Sequence, residues 1–351
     1  MKTLQTTEMP NYSTLLSVFD RYHSFALSTH INPDGDAIGS QLALYTFLTE
    51  IGKSVKVFNT DAVPKNYKFL PGWDIIEAVN AVDSYRPEVL VVLDASTLNR
   101  IGKKLSKTLL PIHKLVNIDH HATAEAFGDI NLIMPSASST SEIVYKLIKH
   151  YQTPIGKACA LCLYTGLMFD TGCFRYSNTT PETHQIAAEL MEIGEFAPDE
   201  VYRNVYEQLP VAKLRVLSEV LRTLQVTDNG KIASVYATQE MFRKTGTNTD
   251  AVEGIVNQIQ AIAGVEVALC VSEMTDRSTK VSMRSKGRVD VSQLAAEFEG
   301  GGHARAAGCR LLTHYITALT TLVETAQRYM DQNSSEYTDS GRIEPRGKRQ
   351  S

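Results

Sequence analysis

Long apolar stretches, a disulfide framework and an excess of basic residues are all missing from this 351-residue sequence. No apolar run approaches the roughly 18 residues that a membrane helix needs, and the first ten residues lack the apolar core of a signal peptide. Five cysteines, an odd number in a long chain, do not suggest a set of disulfides. These absences predict a globular cytoplasmic protein with no membrane partner.

The charge balance is slightly acidic, with 35 lysines and arginines against 39 aspartates and glutamates. A formal net charge of −4 provides no overall positive field that would hold a long nucleic acid. A small anionic ligand remains compatible with this balance, because a few local cations or metal ions suffice to bind it.

Two short motifs that often bind metals or phosphates are incomplete. Cys159 and Cys162 form a CxxC within ACALCLYTGLMF, but no second cysteine pair follows, so we predict a buried helix there. GKS at 52–54 lacks the earlier glycine of a phosphate-binding loop, because position 47 is Phe47. The sequence therefore disfavours a structural zinc site and a P-loop nucleotidase.

Short apolar runs alternate with helical patterns through the first half of the chain, which predicts an α/β fold with a mostly parallel, doubly wound sheet. The predicted strands are 24–29, 55–58, 88–94, 114–119 and 130–133, and the predicted helices are 39–53 and 139–151. Ligands of such sheets bind beyond the carboxyl ends of the strands.

The second half predicts a helical connector and a smaller α/β domain. Segments 230–238, 265–274 and 280–285 read as strands, the last two as a hairpin across TDRST, with helices near 249–261 and over VSQLAAEFE. The final stretch has almost no apolar residues and is predicted to be disordered. The expected boundaries are 1–195, 196–224 for the connector, 225–331, and 332–351 for the tail.

Acidic and histidine residues follow the ends of the predicted apolar segments. They are His30, Asp34 and Asp36 after the first strand, Asp94, then Asp119, His120 and His121, and finally Asp170 at the end of an apolar helix. Crowded carboxylates repel one another unless cations compensate, and a set of imidazoles and carboxylates suits manganese, magnesium or cobalt better than zinc. Two such ions close together are a common apparatus for hydrolysing phosphate esters.

Each of these residues also has an ordinary structural explanation. Asp34 and Asp36 could belong to a turn or cap a helix, and His121 could be a core histidine. Helix capping alone does not require the whole ordered combination, so we favour a metal centre.

Several stretches resemble a known family. HINPDGDAIGS, VVLDAS, NIDHHAT and LYTGLMFDTGCFRYSNT resemble the successive motifs of the DHH phosphoesterase superfamily, while SMRSKGRVDVS and GGGHARAAG resemble its DHHA1 C-terminal domain. The resemblance spans roughly residues 15 to 330 and is strongest with the stand-alone nanoRNase/pAp phosphatase members, which cleave very short RNAs and 3′-phosphoadenosine 5′-phosphate (pAp). It implies a DHH catalytic domain over 1–195 and a DHHA1 substrate-binding domain over 225–331.

The resemblance also implies a two-metal centre in which Asp94 bridges the ions and manganese is the first choice. The first ion would be held by His30, Asp34 and Asp94. The second would be held by Asp36, Asp94, His120 and Asp170. Asp119 would orient an imidazole, and His121 would contact the substrate phosphate, so that Asp94, Asp119 and His121 form the catalytic group.

For the second domain, the resemblance implies that Arg284 and His303 bind a terminal phosphate. The glycines Gly301 and Gly302 would let the backbone approach that phosphate closely. Arg305 and Lys286 are candidates by proximity in the sequence only. Tyr176 and Asn178 are candidates for lining the cleft because they follow Asp170 and because the resemblance implies it.

The expected activity is 3′–5′ hydrolysis of very short oligoribonucleotides, including pApA, to 5′-mononucleotides, together with hydrolysis of pAp to AMP. A cyclic di-AMP phosphodiesterase and a non-catalytic nucleotide sensor remain open as alternatives. An inorganic pyrophosphatase is disfavoured by GGGHARAAG. The expected partners are short RNAs or small phosphorylated nucleotides, and a homodimer through the first domain is compatible with the resemblance.

Overall fold

The computed structural model describes residues 12–78, 85–109 and 112–332, which form two compact units. Along the chain, the division falls between Gln208 and Leu209. The predicted disordered tail, apart from Gln332, lies outside the described residues. Within the described ranges, no helix is both long and apolar enough to cross a bilayer.

The first unit contains a six-stranded sheet in which every pairing is parallel. Its strands are β1 (Ser24–Thr29), β2 (Ser54–Asn59), β3 (Ile76–Ala78), β4 (Val89–Leu93), β5 (Lys114–Asp119) and β6 (Ile130–Ile133), in the order β3-β2-β1-β4-β5-β6. Its helices are α1 (Tyr12–Arg21), α2 (Gly35–Glu50), α3 (Lys103–Leu109), α4 (Thr140–Tyr151), α5 (Lys157–Asp170), α6 (Pro181–Gly194) and α7 (Pro198–Tyr206). The predicted α/β class and parallel sheet are confirmed.

The central strands are buried on both faces, which is why they read as continuous apolar runs. On β4, Val91 packs into the core formed with α2, α4 and α5, while Val92 packs into the opposite core beside α3. The strand order reverses between β1 and β4, so the carboxyl ends of these two strands open into one crevice. Such a switch point is where α/β sheets bind ligands.

The second unit contains a mixed six-stranded sheet in the order β11-β12-β10-β9-β8-β7, in which β8 and β9 pair parallel and the other pairs are antiparallel. Its elements are α8 (Val211–Leu221), β7 (Gln225–Val226), β8 (Ile232–Ala237), α9 (Gln239–Thr245), α10 (Ile255–Gln260), β9 (Val267–Glu273), β10 (Thr279–Ser285), α11 (Val291–Ala296), β11 (Gly301–His303), β12 (Ala306–Leu311) and α12 (Tyr315–Gln332). The predicted hairpin of β9 and β10 is present. The predicted connector, 196–224, contains α7 and α8. Helix α7 belongs to the first unit, whereas Val216 and Val220 of α8 pack into the hydrophobic core of the second unit.

Three predicted helices have clearly different bounds in the structure. The helix expected over VSQLAAEFE, α11, already ends at Ala296. α2 begins at Gly35 rather than at residue 39, because the Asp34 carboxylate accepts the backbone N–H groups of Asp36 and Ala37 and caps the helix earlier. The helix expected over 249–261 is interrupted at Gly254, whose φ of +86° stops a 3₁₀ turn before α10 begins.

Candidate active site

His30, Asp34 and Asp94 meet at the carboxyl ends of β1 and β4. His30 Nε2 lies 3.7 Å from Asp34 Oδ2 and 3.7 Å from Asp94 Oδ2. The other ring nitrogen, Nδ1, is 2.8 Å from the carbonyl oxygen of Ile31, and since a carbonyl only accepts, Nδ1 carries the proton in this contact. The bond therefore orients the ring with Nε2 toward the two carboxylates, an arrangement that metal-binding histidines commonly share.

Asp34 serves the fold and the site with different oxygens. Its Oδ1 accepts the N–H groups of Asp36 and Ala37, each at 3.1 Å, and so caps α2. Its Oδ2 is the oxygen that faces His30. Asp34 therefore caps α2 with one oxygen and presents the other to the donor group.

Asp94 lies between two groups of donors. Its Oδ2 faces His30, while its Oδ1 is 3.7 Å from His120 Nε2 and 3.5 Å from His121 Nδ1. The side chain is only 3% exposed, and the residue has a φ of +56°, a left-handed conformation that costs a non-glycine residue about 1–3 kcal/mol. Asp94 is placed as a shared ligand would be.

A second group of donors consists of Asp36, His120 and Asp170. Ligand atoms of these three residues all lie within 4.8 Å of one another, as do those of His30, Asp34 and Asp94. His120 Nε2 is 2.8 Å from Asp170 Oδ2. Asp36 is fully buried, and its carboxylate accepts the backbone N–H groups at the start of α4. The structure therefore brings together all six predicted metal ligands in two groups joined at Asp94.

Close packing of α2 against α5 makes this convergence geometrically feasible. A Cβ on Gly39 would lie 2.5 Å from the carbonyl oxygen of Cys162, and one on Gly35 would lie 2.7 Å from Phe169 Cβ. A Cβ on Gly166 would overlap Ser141 Oγ and lie 2.7 Å from Asp36 Oδ1. Glycine at these positions lets the two helices approach until Asp36 and Asp170 share one site.

Asp119 holds two parts of the site. Its Oδ1 accepts both Nδ1 and the backbone N–H of His121 at 2.7 Å, and its Oδ2 accepts the N–H of Ser96 at 2.6 Å. The second bond stabilises the left-handed turn that follows Asp94, where Ser96 has a φ of +40°. Asp119 therefore orients the imidazole of His121 and holds the turn that carries Asp94.

The electrostatics of the site favour bound cations. Burial lowers the pKa of His30 and of His120, yet the surrounding carboxylates outweigh it and raise each pKa to about 10. Burial, together with Asp94 and Asp170, raises the pKa of Asp36 well above its ordinary value. The carboxylates outnumber the imidazoles, so positive charge stabilises this group strongly.

His121 is the most exposed member of the group, with 39% of its side chain accessible. The bond to Asp119 raises the pKa of His121, and burial opposes that shift only in part. Burial raises the pKa of Asp119, but the bonds from His121 and Ser96 outweigh it and leave the pKa below its ordinary value. Both shifts have the direction expected for a protonated His121 that donates to an ionised Asp119.

In the second unit, Arg284 lies on β10 at the edge of a cavity of about 420 Å³ that Lys280, Ser282 and Asn257 also line. The guanidinium donates from Nε to Asn257 Oδ1 and from Nη1 to the carbonyl oxygen of Met283, each at 2.9 Å. These bonds take two of its five N–H groups and hold the fork in place. Burial lowers the pKa of Arg284.

Arg284 and His303 share one row across the antiparallel strands. Arg284 pairs with Ala306 on β12, and Ala306 pairs with His303 on β11. Directly opposite residues project from the same face, so Arg284, Ala306 and His303 share one face of the sheet. The two outer backbones are about 10 Å apart.

The three glycines of GGGHARAAG have different environments. A Cβ on Gly300 would collide with Cys309 and the carbonyl oxygen of Gly308, and Gly302 has a φ of +146° with Ala306 O only 2.5 Å from its Cβ position. These two glycines let their own hairpin close. Gly301 is exposed, and a Cβ added there would meet no atom within 4 Å, so its backbone is open to a ligand.

The remaining candidates divide into surface and structural residues. Arg305 is exposed with its guanidinium beside Gly287, and Lys286 donates to the carbonyl oxygen of Ile262. Tyr176 is 58% exposed and its ring covers Gly172. Asn178 donates to the carbonyl oxygens of Ser138 and Asp170, so it holds the backbone that carries Asp170.

Comparison with known proteins places this chain in a family. Models of the DHH family N-terminal domain and of the DHHA1 domain match residues 24–167 and 229–332. The bifunctional oligoribonuclease and PAP phosphatase NrnA of Thermus thermophilus is 32% identical over 287 residues, which are 81% of this chain and 83% of that protein. This chain belongs to the DHH–DHHA1 phosphoesterase family.

Other members show similar coverage. The protein named bifunctional oligoribonuclease and PAP phosphatase NrnA in Bacillus subtilis is 30% identical over 85% of this chain and 92% of its own length. The crystal structure of an exopolyphosphatase-related protein from Bacteroides fragilis is 31% identical, with a TM-score of 0.85, and covers 94% of this chain and 100% of that one. The family therefore extends over nearly all of the described residues.

DHH phosphoesterases depend on metal ions, and the donor set of this chain fits them. His120 Nε2 is buried and makes no aligned hydrogen bond within the described ranges, although Asp170 and Asp94 oxygens lie nearby. A buried, unbonded imidazole nitrogen facing carboxylates is the environment of a metal ligand. The predominance of carboxylate oxygens suits hard divalent ions.

The sequence prediction missed one element of the site, the N-terminus of α4. Thr140 donates its hydroxyl to Asp94 Oδ1 at 3.1 Å and its N–H to Asp36 Oδ2 at 2.6 Å. The start of this helix was readable from Ser139 and Glu142, spaced as in a capping box. Its contact with the carboxylates was not readable, because more than a hundred residues separate Thr140 from Asp36.

Proposed function

We propose that this chain is a two-metal phosphoesterase that hydrolyses very short oligoribonucleotides, including pApA, to 5′-mononucleotides and converts pAp to AMP. The observation that carries the proposal is the position of Asp94, with one oxygen toward each of two donor groups. The activities for which the NrnA relatives are named support the substrate class. Manganese is the expected ion, with magnesium or cobalt as substitutes.

Six side chains would hold the ions. His30, Asp34 and Asp94 would form one set. Asp36, His120 and Asp170 would form the other, which Asp94 joins through its position beside His120. Bound there, two divalent ions supply Lewis acidity and lower the pKa of a water molecule to near neutrality. The chain contributes rigidity, because the helix cap, the glycine contacts and the bonds to Asp36 fix the ligands in advance.

His121 is the proposed contact for the phosphate that reacts. Asp119 accepts its Nδ1 proton and thereby fixes the tautomer and the ring orientation, leaving Nε2 as the other polar atom of the ring. A protonated His121 would donate a hydrogen bond to a non-bridging phosphate oxygen and stabilise the negative charge that this oxygen carries during attack on phosphorus.

The second unit would bind the terminal phosphate through the row of Arg284, Ala306 and His303. Arg284 offers a planar fork for phosphate oxygens, and His303 faces the same side of the sheet. Gly301 adds an approachable backbone. The proposed phosphate site contains only a few basic side chains, and the net charge of the chain is −4. Both features suit a ligand with one or two phosphates rather than a long polymer.

The test is hydrolysis by metal-stripped protein after manganese is restored. The substrates are pApA, a five-residue RNA, a long single-stranded RNA, pAp, cyclic di-AMP and pyrophosphate. Cleavage of pApA, the short RNA and pAp, with slow cleavage of the long RNA, is the expected result. Rapid opening of cyclic di-AMP would instead identify a second-messenger phosphodiesterase, and activity on pyrophosphate alone would overturn the assignment of the second unit.

A further inference from the structure

Thr140, the first residue of α4, contacts two carboxylates of the candidate centre. It is completely buried. Its hydroxyl donates to Asp94 Oδ1 at 3.1 Å, and its backbone N–H donates to Asp36 Oδ2 at 2.6 Å. Asp94 belongs to the group with His30 and Asp34, and Asp36 to the group with His120 and Asp170, so this single residue bonds to a member of each.

The hydroxyl of Thr140 is not needed to begin the helix. Ser139 is the residue that caps α4, and its hydroxyl accepts the N–H of Glu142 at 3.0 Å. A threonine at the first helical position keeps its backbone N–H whatever its side chain. The bond from Thr140 Oγ1 to Asp94 therefore needs an explanation other than helix capping.

The orientation of the Asp94 carboxylate provides that explanation. A carboxylate rotates broadly about its terminal torsion unless hydrogen bonds fix its plane. The Thr140 hydroxyl donates to Asp94 Oδ1 and so fixes the carboxylate plane. In this orientation Oδ2 faces His30 and Oδ1 lies near His120. Without the Thr140 hydroxyl, Asp94 Oδ1 would lose a buried hydrogen-bond donor. The Asp94 carboxylate could then rotate, so that its two oxygens would no longer be held toward His30 and His120.

The surroundings of Thr140 hold it firmly. The carboxylate of Glu142 accepts the N–H and hydroxyl of Ser138, and Asn178 donates to the carbonyl oxygen of Ser138. Lys146 donates to Glu142 at 2.8 Å and keeps that carboxylate in place. A fixed donor is the requirement for orienting a ligand.

We propose that Thr140 is a positioning residue of the metal centre, whose hydroxyl sets the plane of the Asp94 carboxylate while its backbone N–H holds Asp36. The inference rests on the proposed function, because it assumes that Asp94 binds metal ions. It adds to that function a residue without any ligand atom of its own in the centre.

Three variants separate the hydroxyl from the rest of the residue. Thr140→Val keeps the shape and the backbone N–H to Asp36 but removes the donor to Asp94. Thr140→Ser keeps the donor, and Thr140→Ala removes it without the valine methyl group. Thr165→Val is the matched control, since Thr165 is equally buried on α5 and its hydroxyl bonds only to the carbonyl oxygen of Leu161 among the described residues.

The measurement is manganese binding to metal-free protein by titration calorimetry, with the melting temperature of each metal-free variant recorded beside it. Loss of a hydrogen bond to a metal ligand typically weakens metal affinity about 10–100-fold. We expect that loss for Thr140→Val and Thr140→Ala, near wild-type affinity for Thr140→Ser and Thr165→Val, and similar melting temperatures for the two valine variants. A structural role alone would lower the melting temperature and leave affinity per folded molecule unchanged.

Two outcomes overturn the inference in different ways. If the wild-type protein binds two manganese ions and both hydroxyl-free variants bind them equally well, the positioning role is wrong and the proposed function stands. If the wild-type protein binds no manganese, the proposed metal centre is wrong and the inference falls with it.

Discussion

The polar residues of the two units differ in how far the fold fixes them. At the edge of the parallel sheet, Asp36 and Asp94 are buried and held by bonds from α4. On β11 and the turn to β12, His303 and Arg305 are exposed to solvent. Burying charge is costly unless it is compensated, so the first arrangement requires partners for every carboxylate, whereas exposed cations remain hydrated.

The difference follows from sheet topology. Parallel strands end at the same edge, and the switch point between β1 and β4 gathers side chains from distant segments into one crevice. Antiparallel strands instead display residues in rows on a face, as Arg284, Ala306 and His303 show. We therefore expect the first unit to lose function abruptly on substitution and the second to lose affinity in steps.

The largest expected effect comes from Asp94→Asn. An amide cannot supply negative charge toward both His30 and His120, so we expect kcat on pApA to fall on the order of a thousand-fold or more. The measurement is AMP release with manganese present. Asp199→Asn, at an exposed aspartate that pairs with Arg203, is the control and should retain activity.

The same variant distinguishes an enzyme from a nucleotide sensor. Loss of hydrolysis with retained binding of pApA is expected, because the phosphate contacts proposed for the second unit are untouched. If Asp94→Asn hydrolyses pApA as well as the wild type, then Asp94 is not a shared ligand. Buried residues of the first unit would then not be more sensitive to substitution than exposed residues of the second.

Substitution of matched glycines should show a smaller contrast. In Gly166→Ala, the added methyl group overlaps Ser141 Oγ and lies 2.7 Å from Asp36 Oδ1, so α4 and α5 must separate. Overpacking of this kind costs about 1–3 kcal/mol. We expect a lower melting temperature and weaker manganese binding. In Gly301→Ala, the methyl group meets open space, so the melting temperature should not change.

Equal melting temperatures for Gly166→Ala and the wild type would show that the helices adapt, and that close packing does not set the position of Asp36. A large destabilisation by Gly301→Ala would show that the third glycine also serves the hairpin. Either result would reduce the difference between the units.

Much of the first unit follows from the sequence, because apolar runs ending in Asp and His mark both the strands and the residues beyond them. The doubly wound sheet and the convergence of His30, Asp94 and His120 were predictable on that basis. The contacts of Thr140 and the close approach at Gly166 were not, since they depend on the distance between helices far apart in sequence.

In the second unit the sequence revealed the motif GGGHARAAG but not the different roles of its three glycines. Three consecutive glycines look equivalent in GGGHARAAG, yet Gly300 and Gly302 serve the hairpin while Gly301 faces outward. Strand register determines these roles, and a one-residue shift in register would reverse them. The pairing of Arg284 with Ala306 likewise emerges only from the register.

Arg284→Lys should affect substrate affinity rather than the chemical step, and it tests the second unit directly. A lysine keeps the charge but loses the planar fork and the bond from Nε to Asn257. A charged hydrogen bond contributes about 1.5–3 kcal/mol, so KM for pApA should rise about 10–100-fold while kcat changes little. Arg310→Lys is the control, because Arg310 on β12 pairs with Asp276. A fall in kcat at constant KM would place Arg284 beside the reacting phosphate. The proposal that the first unit carries out the reaction while the second unit only binds substrate would then be wrong.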